Sequence, residues 1–173
     1  MERGDRYKKA INGLLSSEQF KEISECLSNL AEKLRVSAVL LVNSSGEPVA
    51  QKVSSFWKGD TVLLSALTAS SYSAAREMAR ILGENVNFKM VLHEGENHNI
   101  FISSISKDFF LIVIFQSGVA LGMVRLFTKK TIEQLLPILI RRGEGNIRLD
   151  QIFDQQFQAL LGEELDRSFK ELS

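Results

Sequence analysis

Apolar residues recur at three- and four-residue steps near the start of the chain, a spacing that is typical of an amphipathic helix. Either Ser16 or Ser17 is a suitable N-cap, so the helix is predicted to begin near Glu18. The stripe that such a helix would bury comprises Phe20, Ile23, Leu27, Leu30, Ala31 and Leu34.

Two short apolar runs on either side of a turn follow this helix and predict a β-hairpin. The first run covers residues 38–42, the turn is Asn-Ser-Ser-Gly at 43–46, and the second run begins at Pro48. Because Pro48 has no amide hydrogen to donate, it should stand at the start of the second strand or on a sheet edge.

A second helix is predicted from Asp60 or Thr61 to about Leu82, where Gly83 would end it. Between residues 65 and 75, nine of eleven residues are Ala, Ser or Thr, so almost every face of this helix is small. Small side chains let other backbones approach closely. Packing on the chain's own sheet would explain one small face, whereas two small faces favour close partners on two sides.

Three strands are predicted next, at residues 89–94, 99–105 and 109–115, and their short connections favour antiparallel neighbours. The third strand is apolar on both faces, so it should be central and covered by helices on each side. A further helix is predicted from about residue 122 to 139, with Pro137 expected to kink or end it.

The C-terminal part of the chain is predicted to be a linker, residues 141–150, followed by an amphipathic tail helix, residues 151–173. The apolar stripe of the tail comprises Ile152, Phe153, Phe157, Leu160, Leu161, Leu165, Phe169 and Leu172. Because such a stripe is unfavourable in water, the tail should either fold back on the domain or bind a partner.

The predicted order of elements is α-β-β-α-β-β-β-α followed by the tail helix. The fold class is therefore α+β, with a five-stranded, mainly antiparallel sheet covered by helices. This order contains no βαβ repeat, which excludes Rossmann and TIM-barrel folds. The domain is assigned to residues 17–140, and residues 1–16 form an N-terminal extension without a recognisable motif.

The length of 173 residues fits one domain, and a hydrophobic share of 45% fits a packed core. Lys plus Arg and Asp plus Glu both total 21, so a nucleic-acid partner is a poor expectation. The longest unbroken apolar run, residues 109–115, is far too short to span a bilayer. The charged start carries no secretory signal, and the single Cys26 permits no intrachain disulfide, so a cytoplasmic location is expected.

Charge is balanced over the whole chain but not locally. Residues 121–148 carry a net charge of +4, and residues 149–173 carry a net charge of −4. The two blocks could neutralise each other as solvated surface, or the basic block could face an acidic partner.

The standard motifs for nucleotide and metal binding do not occur. There is no Gly-Lys-Ser/Thr of a P-loop, and Gly-Glu-Gly at 143–145 lacks the third glycine of a dinucleotide site. His93 and His98, with Glu94 and Glu96, could in principle form a metal site, but no strict zinc spacing is met. Polar turn residues are the favoured interpretation, so no metal and no cofactor are expected.

No arrangement of residues predicts an active site. Cys26 is predicted to be a small, half-buried residue on the first helix, and no GxSxG motif occurs. Arg141 or Arg142 could act on a partner as an arginine finger, although a solvated linker is the more common arrangement. The chain is therefore expected not to be an enzyme.

Four segments form a pattern when they are taken in order: AVLLVNSSGEPVA (38–50), LTASSYSAAREMARILGEN (67–85), HEG (93–95) and LIVIFQSGVALGMVRLFTKK (111–130). Together they resemble the roadblock (dynein light-chain) family, which is related to the longin and profilin folds. Within that family they are most similar to the bacterial MglB group, which activates a Ras-like GTPase. The resemblance covers about residues 20–140, so the predicted domain would be a roadblock domain.

The resemblance implies a homodimer in which the third strands pair across a two-fold axis and the small-residue helices lie side by side. Such a dimer would bind a small Ras-like GTPase in its GTP form, in the setting of cell polarity and gliding motility. It would stimulate hydrolysis by stabilising the GTPase's own catalytic residues, so no arginine of this chain would be needed.

The resemblance also implies site residues by position. The residues that would face the GTPase are Ala69, Ser70, Ser73, Glu77 and Lys130. The residues that would lie in the dimer interface are Ala66, Ala74, Met90 and Leu92. Further contacts from the tail would involve Phe153, Phe157, Leu161, Leu165 and Phe169.

The sequence departs from the family pattern in the second helix, and this leaves alternatives open. The family's Gly-Asn pair becomes Ser70-Ser71, and small residues become Arg76-Glu77. Larger charged groups favour a non-activating roadblock scaffold that recruits a GTPase or a motor complex. A profilin-like small-molecule sensor would need a pocket with convergent polar groups, and no such cluster is visible in the sequence.

Overall fold

A computed structural model describes residues 15–83 and 88–141, in which three helices cover a five-stranded sheet. In chain order the elements are α1 (Ser17–Leu34), β1 (Ala38–Asn43), β2 (Pro48–Val53), α2 (Thr61–Ile81), β3 (Met90–His93), β4 (His98–Ser104), β5 (Phe109–Gln116) and α3 (Leu121–Ile140). This order confirms the predicted α+β fold. The predicted tail helix and residues 142–150 of the predicted linker lie outside the described residues. Of the helices that are described, none combines the length and the hydropathy that a membrane crossing requires.

The strands lie in the order β2-β1-β5-β4-β3, and every neighbouring pair is antiparallel. β5 is central, as its unbroken apolar run predicts, and its residues 110–115 are all buried. Ile112 of β5 pairs with Leu40 of β1 and with Ile102 of β4, so aliphatic side chains meet across the middle of the sheet. Pro48 begins the edge strand β2, where its missing amide hydrogen costs nothing.

Helix α1 begins with a capping box. The Ser16 hydroxyl accepts from the Gln19 amide at 3.2 Å, and the Gln19 side chain accepts from the Ser16 amide at 2.9 Å. The buried stripe is Ile23, Leu27, Leu30 and Leu34, as predicted. The placement of Phe20 in that stripe is wrong, because Phe20 is exposed and Gln19 is buried beside it.

Gln19 is buried because it joins the start of α1 to the end of α3. Its side-chain amide donates to the carbonyl oxygens of Ile138 and Arg141, both at 2.8 Å. The last carbonyl groups of a helix have no partner within the helix, so these bonds stabilise the terminus. Of the two effects predicted for Pro137, a kink or the end of the helix, the second is wrong, since α3 continues through Pro137 to Ile140.

The two faces of the sheet are covered by different helices. Helices α1 and α3 cover one face, which we call the double-helix face, and α2 alone covers the other, the single-helix face. The core of the double-helix face includes Leu27, Leu41, Leu111, Phe115 and Leu135. On the single-helix face, Ala69 and Tyr72 of α2 pack on the sheet, and Tyr72 stacks on Phe110 with ring centres 5.6 Å apart.

The turn between β1 and β2 explains part of the small-residue composition of α2. Gly46 in this turn has a φ of 85°, and a Cβ there would lie 3.0 Å from the Cα of Ala66. It would also lie 3.2 Å from the Cβ of Ala69. The hairpin turn therefore packs against α2 so closely that larger side chains would not fit on this side of the helix.

Candidate interaction surface

The outward face of α2 carries apolar side chains that are exposed to solvent. Helical spacing places these residues in one row opposite the buried Thr68 and Tyr72. The row, which we call the α2 stripe, consists of Leu63, Leu67, Ala74, Met78 and Ile81. At 1.5 Å per residue the stripe is about 27 Å long. Because the exposed fraction is 59% for Leu67 and 73% for Ile81, this face of the helix has the character of an interaction surface.

The strand β3 forms an edge of the sheet. In the described part of the chain it pairs with β4 alone, so one row of its backbone N–H and C=O groups is open to an added strand. The opposite edge strand, β2, begins with Pro48 and carries the exposed, charged Lys52. Both features hinder strand addition there, so addition is favoured at β3.

A side-chain hydrogen bond links α2 to this edge. His93 Nε2 of β3 lies 3.0 Å from Ser71 Oγ of α2. Val91 lies on the single-helix face of β3, whereas Met90 and Leu92 pack on the double-helix face. The bond between Ser71 and His93 therefore holds the helix of the stripe against the edge strand.

The two histidines of the HEGENH turn have separate neighbours. His93 contacts Ser71, and the ring of His98 lies edge-on to the ring of Trp57, with ring centres 6.4 Å apart. Within residues 15–83 and 88–141, no group of three or more His, Cys, Asp or Glu side chains is placed to hold a metal ion.

Most residues of α2 that the resemblance assigns to a site lie together on its outward face. Ser70, Ser73 and Glu77, assigned to the GTPase, and Ala66 and Ala74, assigned to the dimer, are all exposed. The two assigned sets thus occupy neighbouring positions on the same face of one helix rather than separate surfaces.

Ala69, also assigned to the GTPase, does not belong to this face. It is 7% exposed and packs on the sheet beside the hairpin turn at Gly46. Its side chain points to the chain's own sheet, so the structure does not bring Ala69 to the outward face of α2.

Lys130 lies on the other side of the sheet. It belongs to α3, and its Nζ is 5.8 Å from the ring centre of Phe127, which Lys33 of α1 also approaches at 5.9 Å. The structure therefore does not bring Lys130 to the outward face of α2. Met90 and Leu92 are half-buried against the core of the double-helix face, so an added strand would contact β3 chiefly through its backbone.

Glu77 is paired within its own helix. The Arg80 Nε donates to both carboxylate oxygens of Glu77 at 3.0 Å. This hydrogen bond lowers the pKa of Glu77 below its ordinary value and raises the pKa of Arg80. The pair is exposed, so it contributes little to stability, but it neutralises the charge that Glu77 adds beside the stripe.

Two residues considered for catalysis, Cys26 and Arg141, have surroundings that disfavour a catalytic role. Cys26 is half-buried on α1, as predicted, and burial raises the pKa of its thiol, with a further contribution from Glu22 and Glu25. A raised pKa disfavours the reactive thiolate. The guanidinium of Arg141 forms two hydrogen bonds to the Glu22 carboxylate, at 2.9 and 3.0 Å. An arginine finger at this position would have to break that pair first.

Comparison with known proteins identifies the family. The sequence profile of the Roadblock/LC7 domain matches residues 22–115, which is more than half of the chain. The chain belongs to the Roadblock/LC7 family. A related sequence from Aquifex aeolicus (strain VF5), described as an uncharacterized protein, is 25% identical over 155 residues, covering 80% of this chain and 96% of the relative.

Two solved structures of bacterial roadblock proteins are similar to this fold. MglB from Myxococcus xanthus is 29% identical, with a TM-score of 0.63, and the match covers 67% of this chain and 93% of that protein. The gliding protein MglB from Thermus thermophilus is 23% identical, with a TM-score of 0.69, and the match covers 75% of this chain and 96% of that protein. The second likeness shows a shared roadblock fold.

The large apolar members of the α2 stripe are absent from the predicted site. The sequence prediction concentrated on the small residues of this helix, which the hairpin turn partly explains. Leu63, Leu67, Met78 and Ile81 have helical spacing that is visible in the sequence. Their outward orientation depends on which face Tyr72 and Ala75 bury, and that is settled only by the packing of α2 on the sheet.

Proposed function

We propose that this chain acts as a homodimeric regulator of a small Ras-like GTPase, and that it is not itself an enzyme. Membership in the Roadblock/LC7 family, together with 29% identity to a protein named MglB, supports a roadblock-type regulator or scaffold. The observation that carries the proposal is the α2 stripe, an apolar row beside an open sheet edge.

The dimer would form by pairing of two β3 strands, which would bring two α2 helices alongside each other. The open backbone of β3 supports this arrangement, and so does the hydrogen bond between Ser71 and His93, because it links the helix of the stripe to the edge strand. Part of each α2 stripe would then be buried against the partner, and the remainder would form one continuous apolar surface for the GTPase.

The regulator would bind the GTP form and accelerate hydrolysis by holding the GTPase's own catalytic residues in their active positions. The pairing of Arg141 with Glu22 and of Arg80 with Glu77 supports a mechanism without an arginine finger from this chain. In the proposed complex, Ser70, Ser73 and Glu77 contact the GTPase, whereas Lys130 and Ala69 are left out because of their positions.

The dimer is tested by Leu67→Arg, which places a charge in the centre of the stripe, with sedimentation velocity as the measurement. We expect Leu67→Arg to shift the dimer to monomer at micromolar concentration with the fold intact by circular dichroism. Leu126→Arg is the matched control, because Leu126 is 47% exposed on α3 of the opposite layer. A monomeric wild-type chain, or equal dissociation by both variants, would contradict the arrangement.

The regulatory activity is tested by single-turnover GTP hydrolysis of the cognate small GTPase, with and without the full chain. We expect a saturable acceleration of more than about tenfold. The acceleration should persist in the double variant Arg141→Ala, Arg142→Ala and should be lost in Ser73→Lys. Leu126→Lys serves as the control for an added surface charge. A loss of acceleration in the arginine variant would place an arginine finger in this chain.

A non-activating scaffold is the second candidate, and the charged residues of α2 favour it. Arg76 and Glu77 are exposed on or beside the face that would meet the GTPase, at positions where the family pattern has small residues. The same hydrolysis assay separates the two functions. Binding of the GTP form without acceleration would make the scaffold correct, and the absence of binding would contradict both.

A further inference from the structure

The double-helix face has an open cavity of about 600 Å³ between α3 and the β3–β4 end of the sheet. Its apolar floor is formed by Met90 of β3, Phe101 of β4 and Ile132 of α3. Helix α3 packs on α1 and β5, and the cavity lies beyond it, where the sheet continues toward its β3 edge. A volume of this size is typical of sites for small molecules, which span about 300–1,000 Å³.

The rim of the cavity is strongly cationic. Lys89, Lys107, Arg125 and Lys129 line it, and no Asp or Glu of the described residues does. Within residues 15–83 and 88–141, none of these four side chains lies within 4.0 Å of a carboxylate oxygen. Four cations around one cavity repel one another, so an anion placed among them would be stabilised.

Three of the polar side chains that line the cavity make contacts with neighbouring residues of the chain. A guanidinium nitrogen of Arg125 lies 3.3 Å from the Met90 sulfur, which holds this cation over the apolar floor. The hydroxyls of Ser103 and Ser104 donate to the backbone oxygens of Lys89 and Ser106, at 3.3 and 3.2 Å.

We propose that this cavity binds a single amphipathic phosphate ester, with the apolar body on Met90, Phe101 and Ile132 and the phosphate among the cations. A phosphate group carries a charge of about −1.5 to −2 at pH 7, which matches a multiply cationic rim better than a single carboxylate does. The apolar floor excludes inorganic phosphate as the best occupant. The cavity is a recess between α3 and the sheet rather than a flat patch, which favours one molecule over a flat lipid surface.

This site lies on the face of the sheet opposite the α2 stripe, and it borders β3, the strand that would pair in the proposed dimer. Its floor residues lie on the double-helix face, whereas the α2 stripe lies on the single-helix face. It also supplies the convergent cationic groups that a small-molecule sensor requires. The sequence does not display them as a cluster because Lys89, Lys107 and Arg125 lie on three separate parts of the chain.

The test titrates the full chain with monomeric octyl phosphate. Binding is measured by titration calorimetry and by the changes in amide chemical shifts. We expect saturable binding of one molecule per chain, with a Kd of about 1 mM or tighter for a ligand of this size. Octanol and inorganic phosphate should each bind at least about tenfold more weakly, because each satisfies only one half of the site. Amide shifts should concentrate at the β3–β4 end and the middle of α3.

The double variant Lys89→Ala, Lys129→Ala should weaken octyl phosphate binding about tenfold and leave octanol binding unchanged. The matched control is Lys21→Ala, Lys52→Ala, which removes one exposed lysine from a helix and one from a strand elsewhere. Ile132→Ala should weaken octyl phosphate binding about threefold without affecting inorganic phosphate.

Three results would overturn the proposal. Equal binding of inorganic phosphate and octyl phosphate would show an anion site without an apolar half. Equal binding of octanol would show an apolar slot without a role for the cations. Equal losses in the rim variant and its lysine control would place the ligand elsewhere on the chain. Because no GTPase is present, each result is separate from the outcome of the hydrolysis assay.

Discussion

The helices on the two faces of the sheet differ in which side chains they bury against it. On the double-helix face, the largest inward side chains are apolar, and Leu27, Leu135 and Phe115 are fully buried, although α3 also exposes Leu126 and Ile140 to solvent. On the single-helix face, α2 directs mostly small residues inward and large ones outward, so that Ala75 is buried while Leu67 is exposed. One face therefore builds the core of the chain, and the other presents a surface.

The contrast indicates that α2 is selected for what it contacts on both sides. A helix that had only to cover the sheet would bury its leucines, because burial of one such side chain is worth roughly 1.5–3 kcal/mol. The close turn at Gly46 requires small residues on the inward side. The outward apolar residues have no such local cause, which is why they support a partner surface.

The sharpest test of this comparison is the same substitution on both faces. Leu27→Ala removes a fully buried side chain and should lower the free energy of unfolding by about 2–5 kcal/mol. Leu67→Ala removes a mostly exposed one and should change it by less than about 0.5 kcal/mol in the monomer. Urea unfolding at low protein concentration measures both. Equal losses would show that the α2 stripe is part of the core.

The second test compares two glycines that share a positive φ. Gly46→Ala should cost about 2–4 kcal/mol, because it combines left-handed strain with the approach to the backbone of Ala66. Gly83→Ala has a similar φ of 75° but no described atom within 4 Å of the added Cβ, so it should cost about 1 kcal/mol. Thermal and urea unfolding of the two variants give the difference. If the two costs were equal, the close packing of the hairpin on α2 would not be what requires small residues.

The third test concerns the buried phenol of Tyr72 on the single-helix face. The Tyr72 hydroxyl donates to the Phe88 carbonyl oxygen at 3.2 Å, close to the start of β3. Tyr72→Phe keeps the stacking on Phe110 and removes only this bond, so we expect a loss of about 1 kcal/mol. Faster amide hydrogen exchange in β3 should accompany the loss. Unchanged exchange would mean that the bond does not hold the edge strand to α2.

The periodicity of the sequence predicted the helices and strands well, but it predicted the contacts between them less well. The helices, the hairpin and the central position of β5 follow from local spacing, and all of them are confirmed within the described residues. Gln19 could not be predicted to be buried, because its partners Ile138 and Arg141 are about 120 residues away. The outward orientation of Leu67 and the burial of Ala69 could not be predicted for a related reason, because a helix that is small on several sides does not reveal which side faces the sheet.

The smallest expected effect distinguishes a local ion pair from one that depends on tertiary structure. Glu77 and Arg80 lie three residues apart on α2, whereas Glu22 and Arg141 join α1 to the end of α3. The hydrogen bond from each arginine lowers the pKa of its carboxyl below the ordinary value of 4.5. The folded state therefore gains stability above that value, and the gain is lost as the pH falls through the lowered pKa.

Titration of the side-chain carboxyls by NMR checks this difference. Arg141→Gln should return only Glu22 to its ordinary pKa, and Arg80→Gln should return only Glu77. In mild denaturant that unfolds the chain, the lowered value of Glu22 should disappear, because its partner lies 119 residues away. The lowered pKa of Glu77 should persist to the extent that α2 remains helical in the denaturant, since an i,i+3 pair needs only one helical turn. If both carboxyls lost their shifts together, the single-helix face would depend on tertiary structure as fully as the double-helix face does.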